Sequence, residues 1–272
     1  MQSQQVVRFR YAFQSFGVKI GIESNNLGLL NSIRTELPEI VPEVYLEEYA
    51  GETEQNFLLL TDGNKIRIEK NGGELCNVEF TEGTLNYFYG RISLAIAQNA
   101  VGKVFLHAGV IGYKGNAIIF PGDSFSGKTT IVSELIKQGA VYYSDEFAVL
   151  DENGLNYPFA RKLSVRGIID QYLQVDVAPE DFGAQTGKLP LPVKAVFLTQ
   201  YQPDGKLEFE LLSAGKGMLE MVPHTLTMAS NPKYSLQVLN ILANRAIIAK
   251  SKRGDAPEAV KFLLKFLETE TV

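Results

Sequence analysis

The stretch from Phe120 to Gly139, FPGDSFSGKTTIVSELIKQG, constrains this chain more than any other part of it. Its residues GDSFSGKT fit the pattern G-x-x-x-x-G-K-[ST], with Gly122, Gly127, Lys128 and Thr129 in the fixed places. The spacing has a physical reason. Glycines let successive backbone N–H groups turn inward on an anion, and the N-terminus of the following helix adds its dipole. In such a cradle Gly122, Asp123, Ser124 and Ser126 wrap the phosphates, and Gly127, Lys128, Thr129 and Thr130 open the helix beneath them. In that pattern Lys128 can bridge the terminal phosphates and the Thr129 hydroxyl can ligate Mg²⁺. The flanks agree. An apolar run, AIIFPG, precedes the loop, and Ile131, Val132, Leu135 and Ile136 then mark one helical face that ends at Gly139, a residue type suited to a left-handed C-cap. The alternative is a glycine-rich strand-to-helix turn that carries an exposed lysine.

Composition limits what the loop is attached to. With 272 residues, 45% apolar and 21% charged, the chain has material for one large domain or two modest ones. A formal net charge of -5 argues against a general electrostatic grip on nucleic acid, which needs a surplus of Lys and Arg on one face. The single cysteine, Cys76, cannot form an internal disulfide and reads as a small side chain in a strand. No apolar run approaches the ~20 residues needed to cross a bilayer, and MQSQQVVRFR has no signal-like apolar core. The expectation is a cytoplasmic protein with no membrane partner.

Along the chain two textures follow one another. From Val7 to Pro38, a strand pattern in FGVKIGIES leads into a helix pattern with Leu27, Leu30 and Ile33, which Pro38 is expected to stop. Turn signals DGN and NGG then separate β-rich runs, as in antiparallel hairpins. A second helix brings Leu85, Phe88, Tyr89, Ile92 and Ile96 to one face, with Thr81 or Thr84 as its cap. Residues 1–100 thus read as a small α+β domain of unassigned role.

Residues 101–272 read as an α/β domain. VGKVFLHAGVI and AIIFPG form two strands around a glycine-containing turn, and the second runs straight into the loop. Strand, glycine loop, helix and strand is the order of a P-loop core. VKAVFLTQY reads as a buried strand, SLQVLNILANRAIIAK mixes helix and strand signals, and GDAPEAVKFLLKFLE reads as a terminal helix capped at Asp255, with Glu258 three residues on.

Three more residues carry chemistry. His107 sits in the apolar strand FLHAGV, where a histidine is either structural or turned toward the loop. Asp145 and Glu146 follow the strand after the loop's helix, where a carboxylate can face the metal and the terminal phosphate. Neighbours in a strand point to opposite faces, so one of the pair is expected to face the nucleotide. The second histidine, His224 in MVPHTL, suggests no partner and reads as structural.

Taken together, LHAGVIGYKGNAIIFPGDSFSGKTTIVSELIKQGAVYYSDEFAVL resembles the catalytic domain of HPr kinase/phosphorylase and its looser relatives, whose histidine strand, hairpin, P-loop and paired acids follow in this order. The resemblance is good from about Val104 to Val165 and weak beyond. It implies a P-loop kinase core of the HPr kinase/PEP carboxykinase-like type, with ATP and Mg²⁺ as its ligands. It further implies that Lys128 and Thr129 handle phosphates and metal, that Asp145 is the catalytic base or a metal ligand, that His107 assists it, and that Glu146 stands in place of a second aspartate. Arg161 and Arg166 are candidate phosphate or substrate contacts, or equally loop caps or surface pairs. Lys188, in the glycine-, threonine- and proline-containing loop DFGAQTGKLPLPV where the family closes over its acceptor, is expected to approach the transferred phosphoryl group. The related kinases are hexamers, so a homo-oligomer is compatible.

One departure matters. LSVRGIID has Ser164 where the family has glutamate, and serine brings no negative charge to a metal. The leading expectation is therefore an ATP-dependent kinase that transfers the γ-phosphoryl group to a serine-type hydroxyl of a protein or peptide. The alternatives are a regulatory module that binds nucleotide with little or no turnover, and a small-metabolite kinase on the same fold. The chain has no N-K-x-D base-reading motif, so a GTPase has no support.

Overall fold

Alternation between polar and apolar residues organises both halves of the chain. In the computed structural model, which describes residues 8–123, 126–166, 174–203, 205 and 207–269, the protein is mixed α/β, with two mixed sheets and six α-helices among the described residues. It divides into two compact units, Met1–Val101 and Gly102–Val272.

In the first unit, β1 (Phe9–Ser15) and β2 (Val18–Ser24) form a hairpin, and α1 (Leu27–Ile40) follows under the Asn26 cap, whose side chain accepts from the Leu29 N–H at 3.0 Å. Next come β3 (Glu47–Glu48), β4 (Gln55–Asp62), β5 (Lys65–Lys70), β6 (Gly73–Glu79) and α2 (Glu82–Asn99). The sheet order is β3-β1-β2-β4-β5-β6, with β2 and β4 parallel across the α1 connection. The expected hairpins are present, and Asn71 and Gly72 both take positive φ in the tight β5–β6 turn. Cys76 lies in β6 as expected.

Two details differ from the sequence reading. Leu27 is 48% exposed, and the buried stripe of α1 is Leu29, Leu30, Ile33 and Leu37. The helix also passes through Pro38 and ends only at Ile40. Leu37 and Val41 are both buried at that end, and the Val41 N–H closes the last turn on the Leu37 carbonyl at 3.0 Å. In a final turn a proline removes one hydrogen bond, which apolar burial on either side outweighs. Thr81 and Thr84 together build the cap of α2 as a reciprocal box. Phe88, Tyr89, Ile92 and Ile96 are buried, while Leu85 is half-buried.

The second unit runs β7 (Val104–Tyr113), β8 (Asn116–Pro121), α3 (Lys128–Lys137), β9 (Val141–Ser144), β10 (Phe147–Leu150) and β11 (Leu155–Tyr157). There follow β12 (Leu163–Arg166), β13 (Gln174–Val177), β14 (Leu191–Tyr201), β15 (Glu210–Leu211), α4 (Ala214–Met221), α5 (Pro232–Arg245), β16 (Ile247–Arg253) and α6 (Ala256–Thr269). The main sheet is ordered β11-β10-β7-β8-β14-β16-β15, β9 pairs with β7, and β11 also pairs with β14. Strands β8, β14 and β16 are parallel to one another.

Period two sets the layers of this unit. Ala117, Ile119, Val196, Leu198 and Ile248 face one core with Met221 of α4 and Val238, Leu239 and Leu242 of α5. Ile118, Phe120, Ala195, Phe197 and Ala249 face the other, with Ile131, Val132, Leu135 and Ile136 of α3 and Val260 and Leu263 of α6. Successive strand residues therefore enter opposite cores, which is why the central strands read as continuous apolar runs. The sheet holds the start of α3 at the end of β8, beside the end of β16. SLQVLNILANRAIIAK resolves into α5 up to Arg245 and β16 from Ile247. Among the described residues no helix is long and apolar enough to cross a membrane.

Candidate functional site

Hydrogen bonds rather than side-chain packing shape the loop between β8 and α3. Its first glycine is tied to the neighbouring strand, with the Gly122 N–H donating to the His107 carbonyl at 3.3 Å. Within the loop the Ser126 N–H donates to the Asp123 carbonyl at 3.2 Å. Gly127 caps α3 with φ +87°, a conformation open to glycine. Lys128, buried although charged, reaches back to donate to the carbonyls of Gly122 and Asp123, both at 2.8 Å. Burial pushes its ammonium pKa down while Glu146, Asp123 and Asp145 oppose the shift. A lysine curled over its own loop at a helix N-terminus gives an anion both a point charge and a fixed dipole.

On the other side of the helix start, Thr129 Oγ1 lies 3.5 Å from Asp145 Oδ2. Asp145 is buried at the bend between β9 and β10. Its second oxygen, Oδ1, lies 3.1 Å from the Tyr142 hydroxyl, which is also 3.0 Å from the Arg161 carbonyl. Tyr142 is fully buried, and burial with the adjacent Asp145 carboxylate raises its pKa well above the ordinary phenol value. The hydroxyl thus stays protonated, a donor for Asp145.

The acidic pair separates by environment rather than by strand face. Glu146 turns to Arg161, with which it forms an ion pair at 2.8 Å. Asp145 alone of the two meets Thr129. A divalent cation at this point fits Thr129 and Asp145, completed by phosphate oxygens and water as Mg²⁺ ordinarily prefers. Among the described residues no three His, Cys, Asp or Glu side chains cluster as a metal site on their own.

Both histidines of the chain stand at the loop. His107 has its pKa lowered to about 4, first by burial, then by the Lys128 and His224 charges, with Asp123 opposing. It is neutral at physiological pH. His224 lies with Nδ1 at 3.3 Å from Asp123 Oδ1. That proximity has no signal within MVPHTL and arises because the segment after α4 runs along β7 through the Leu106–Thr225 bridge.

Arg253 is the larger omission. It is 2% exposed at the end of β16 and donates from Nη2 to the Gly127 carbonyl at 2.9 Å and from Nη1 to the Gly254 carbonyl at 3.1 Å. Its neighbour in space is the Tyr201 ring, 5.6 Å away. The signal was legible in IIAKSKR, whose alternation places Arg253 on the buried side with Ser251 and Ala249.

Other expected residues are placed as follows. Ser126 has its hydroxyl buried without a partner among the described residues, and Thr130 is exposed. Ser124 lies outside the described residues, as do the side chains of Ser164 and Arg166. Lys188 is exposed, and no hydrogen bond or ion pair among the described residues joins it to Lys128 or Asp145. Its loop is tied to β9, since the Tyr142 N–H donates to the Gln185 carbonyl and the Gly187 N–H to the Tyr142 carbonyl, both at 2.8 Å. Clefts lined by Asn153, Lys194 and Arg245, and in the first unit by Glu36, Thr81 and Tyr89, include no residue of the loop between β8 and α3.

No family model matches the chain, and a search of curated proteins found no match.

Proposed function

We propose that the second unit is an ATP-dependent kinase of the HPr kinase-like type, which transfers the γ-phosphoryl group to a serine-type hydroxyl of a protein or peptide. The approach of Thr129 to Asp145 at 3.5 Å, next to buried Lys128, carries this reading. It joins a metal-binding hydroxyl, a carboxylate and a phosphate-binding cation at one helix start. The acceptor hydroxyl gives its proton to Asp145 as its oxygen bonds to the γ-phosphorus, the bond to the β–γ bridging oxygen breaks, and ADP departs. Lys128 and the loop N–H groups stabilise the charge on the phosphoryl oxygens, so catalysis is mostly positioning and neutralisation. Thr129 and Asp145 would hold Mg²⁺, which would supply further charge neutralisation. Neutral His107 adds no competing positive charge, and Arg161, Arg166 and Lys188 are the candidate acceptor contacts.

One observation favours a second reading. The Glu146–Arg161 pair occupies the carboxylate that would be a second metal ligand, which suits a nucleotide-binding regulatory module without transfer. The two separate by release of labelled phosphate from γ-labelled ATP with Mg²⁺ and candidate hydroxyl acceptors. The kinase reading expects transfer by the wild type and none by Asp145→Asn. Binding of ATP without loss of γ-phosphate to any acceptor or to water supports the regulatory module.

A further inference from the structure

A guanidinium is always charged, and burying one without a counter-charge is costly. Arg253 is 2% exposed, no ion pair reaches it among the described residues, and its Nε is buried with no hydrogen-bond partner. Its partners are two backbone carbonyls and the face of Tyr201, and the Asp255 carboxylate, with which it forms no ion pair, only partly opposes the fall in its pKa that burial causes. The surrounding structure holds this cation against the cost of its burial, and an anion at the loop would offset that cost further.

The socket is built with unusual closeness. A Cβ on Gly254 would stand 2.6 Å from the Gly205 carbonyl oxygen, and one on Gly205 would stand 3.1 Å from the Arg253 carbonyl carbon. Two glycines thus let the turn after β14 close on the end of β16, with the Gln202 N–H donating to the Arg253 carbonyl at 2.9 Å. On the loop side a Cβ on Gly127 would collide with Nη2 of Arg253. The Gly127 carbonyl also accepts from the Ile131 N–H at 3.1 Å, as the first hydrogen bond of α3.

We propose that Arg253 is a positioning residue for phosphate binding: by clamping the Gly127 carbonyl it fixes the helix start that receives a polyphosphate, and the bound polyphosphate completes its buried charge. The inference rests on the nucleotide-binding reading of the loop and adds to it a residue 126 positions away from Gly127 in sequence. Lysine at this place keeps the charge but loses the planar fork that spans Gly127 and Gly254. Arg253→Lys is therefore expected to weaken polyphosphate binding roughly tenfold or more, the loss of one charge-assisted hydrogen bond.

The test compares wild type, Arg253→Lys, Arg253→Gln and Lys128→Ala by titration with inorganic tripolyphosphate and Mg²⁺-ATP, with melting in the absence of ligand recorded for each. The expected result is binding by the wild type and none by Lys128→Ala. Arg253→Lys should bind more weakly while melting close to wild type, and Arg253→Gln should bind more weakly still. Wild-type affinity in both Arg253 variants overturns the clamp and leaves the nucleotide reading standing, whereas no binding by the wild type overturns that reading and the clamp with it. If both variants fold poorly, hydrogen exchange on the wild type decides. Tripolyphosphate must then protect 250–256 together with 126–131, and protection of 126–131 alone overturns the proposal.

Discussion

The Tyr142 hydroxyl lies 3.1 Å from Oδ1 of Asp145, on the oxygen that does not face Thr129. This divides the carboxylate into one oxygen held by the phenol and one turned to Thr129. A single χ1 change at Asp145 would break both contacts, so the phenol fixes the direction in which the other oxygen points.

Tyr142→Phe removes that hydroxyl from a fully buried position and leaves both the Asp145 oxygen and the Arg161 carbonyl without it. A stability loss of about 1–2 kcal/mol is expected in urea denaturation. Nucleotide affinity should change little, because the loop itself is untouched.

The acidic pair should behave asymmetrically. Glu146→Gln weakens its ion pair with Arg161, a partly exposed contact, and is expected to cost less than about 1 kcal/mol. The Mg²⁺ concentration needed for ATP-induced stabilisation should be unchanged in Glu146→Gln and raised in Asp145→Asn. An equal rise in both would return Glu146 to the metal.

Part of this site was open to sequence reading and part was not. GDSFSGKT fixed the loop because backbone geometry is encoded locally, and Ile131, Val132, Leu135 and Ile136 all face the core because helical spacing is local too. The break at Pro38 was misplaced because burial of Leu37 and Val41 is a tertiary effect. His224 reaches Asp123 through a bridge to β7, and nothing within its own segment predicts that. Arg253 was missed for a different reason: a charged residue inside needs the alternation of KSKR to be read through, with Lys250 and Lys252 outside and Ser251 and Arg253 inside.

His107 makes stability depend on pH. Its folded pKa of about 4 lies below the ordinary value of 6.5, so between those values the unfolded chain binds more protons than the folded one. Its contribution is present in full above pH 6.5 and is lost as pH falls toward 4. His107→Gln is expected to flatten that part of a melting-temperature profile, and an unchanged slope would place the titration elsewhere.

Close packing of β7 on α3 gives a prediction independent of chemistry. A Cβ at Gly109 would stand 2.7 Å from Cγ2 of Val132, so Gly109→Ala must push the helix away from the strand. Destabilisation of about 1–3 kcal/mol is expected, with weaker nucleotide binding because Lys128 rides on the same helix.

The central claim is that the loop before α3 holds a nucleotide through Lys128. Thermal unfolding of wild type and Lys128→Ala, each with and without Mg²⁺-ATP, tests it most directly. The account predicts a rise in melting temperature for the wild type that saturates with ATP and is absent in Lys128→Ala. Equal shifts in the two proteins, or none in either, would contradict it.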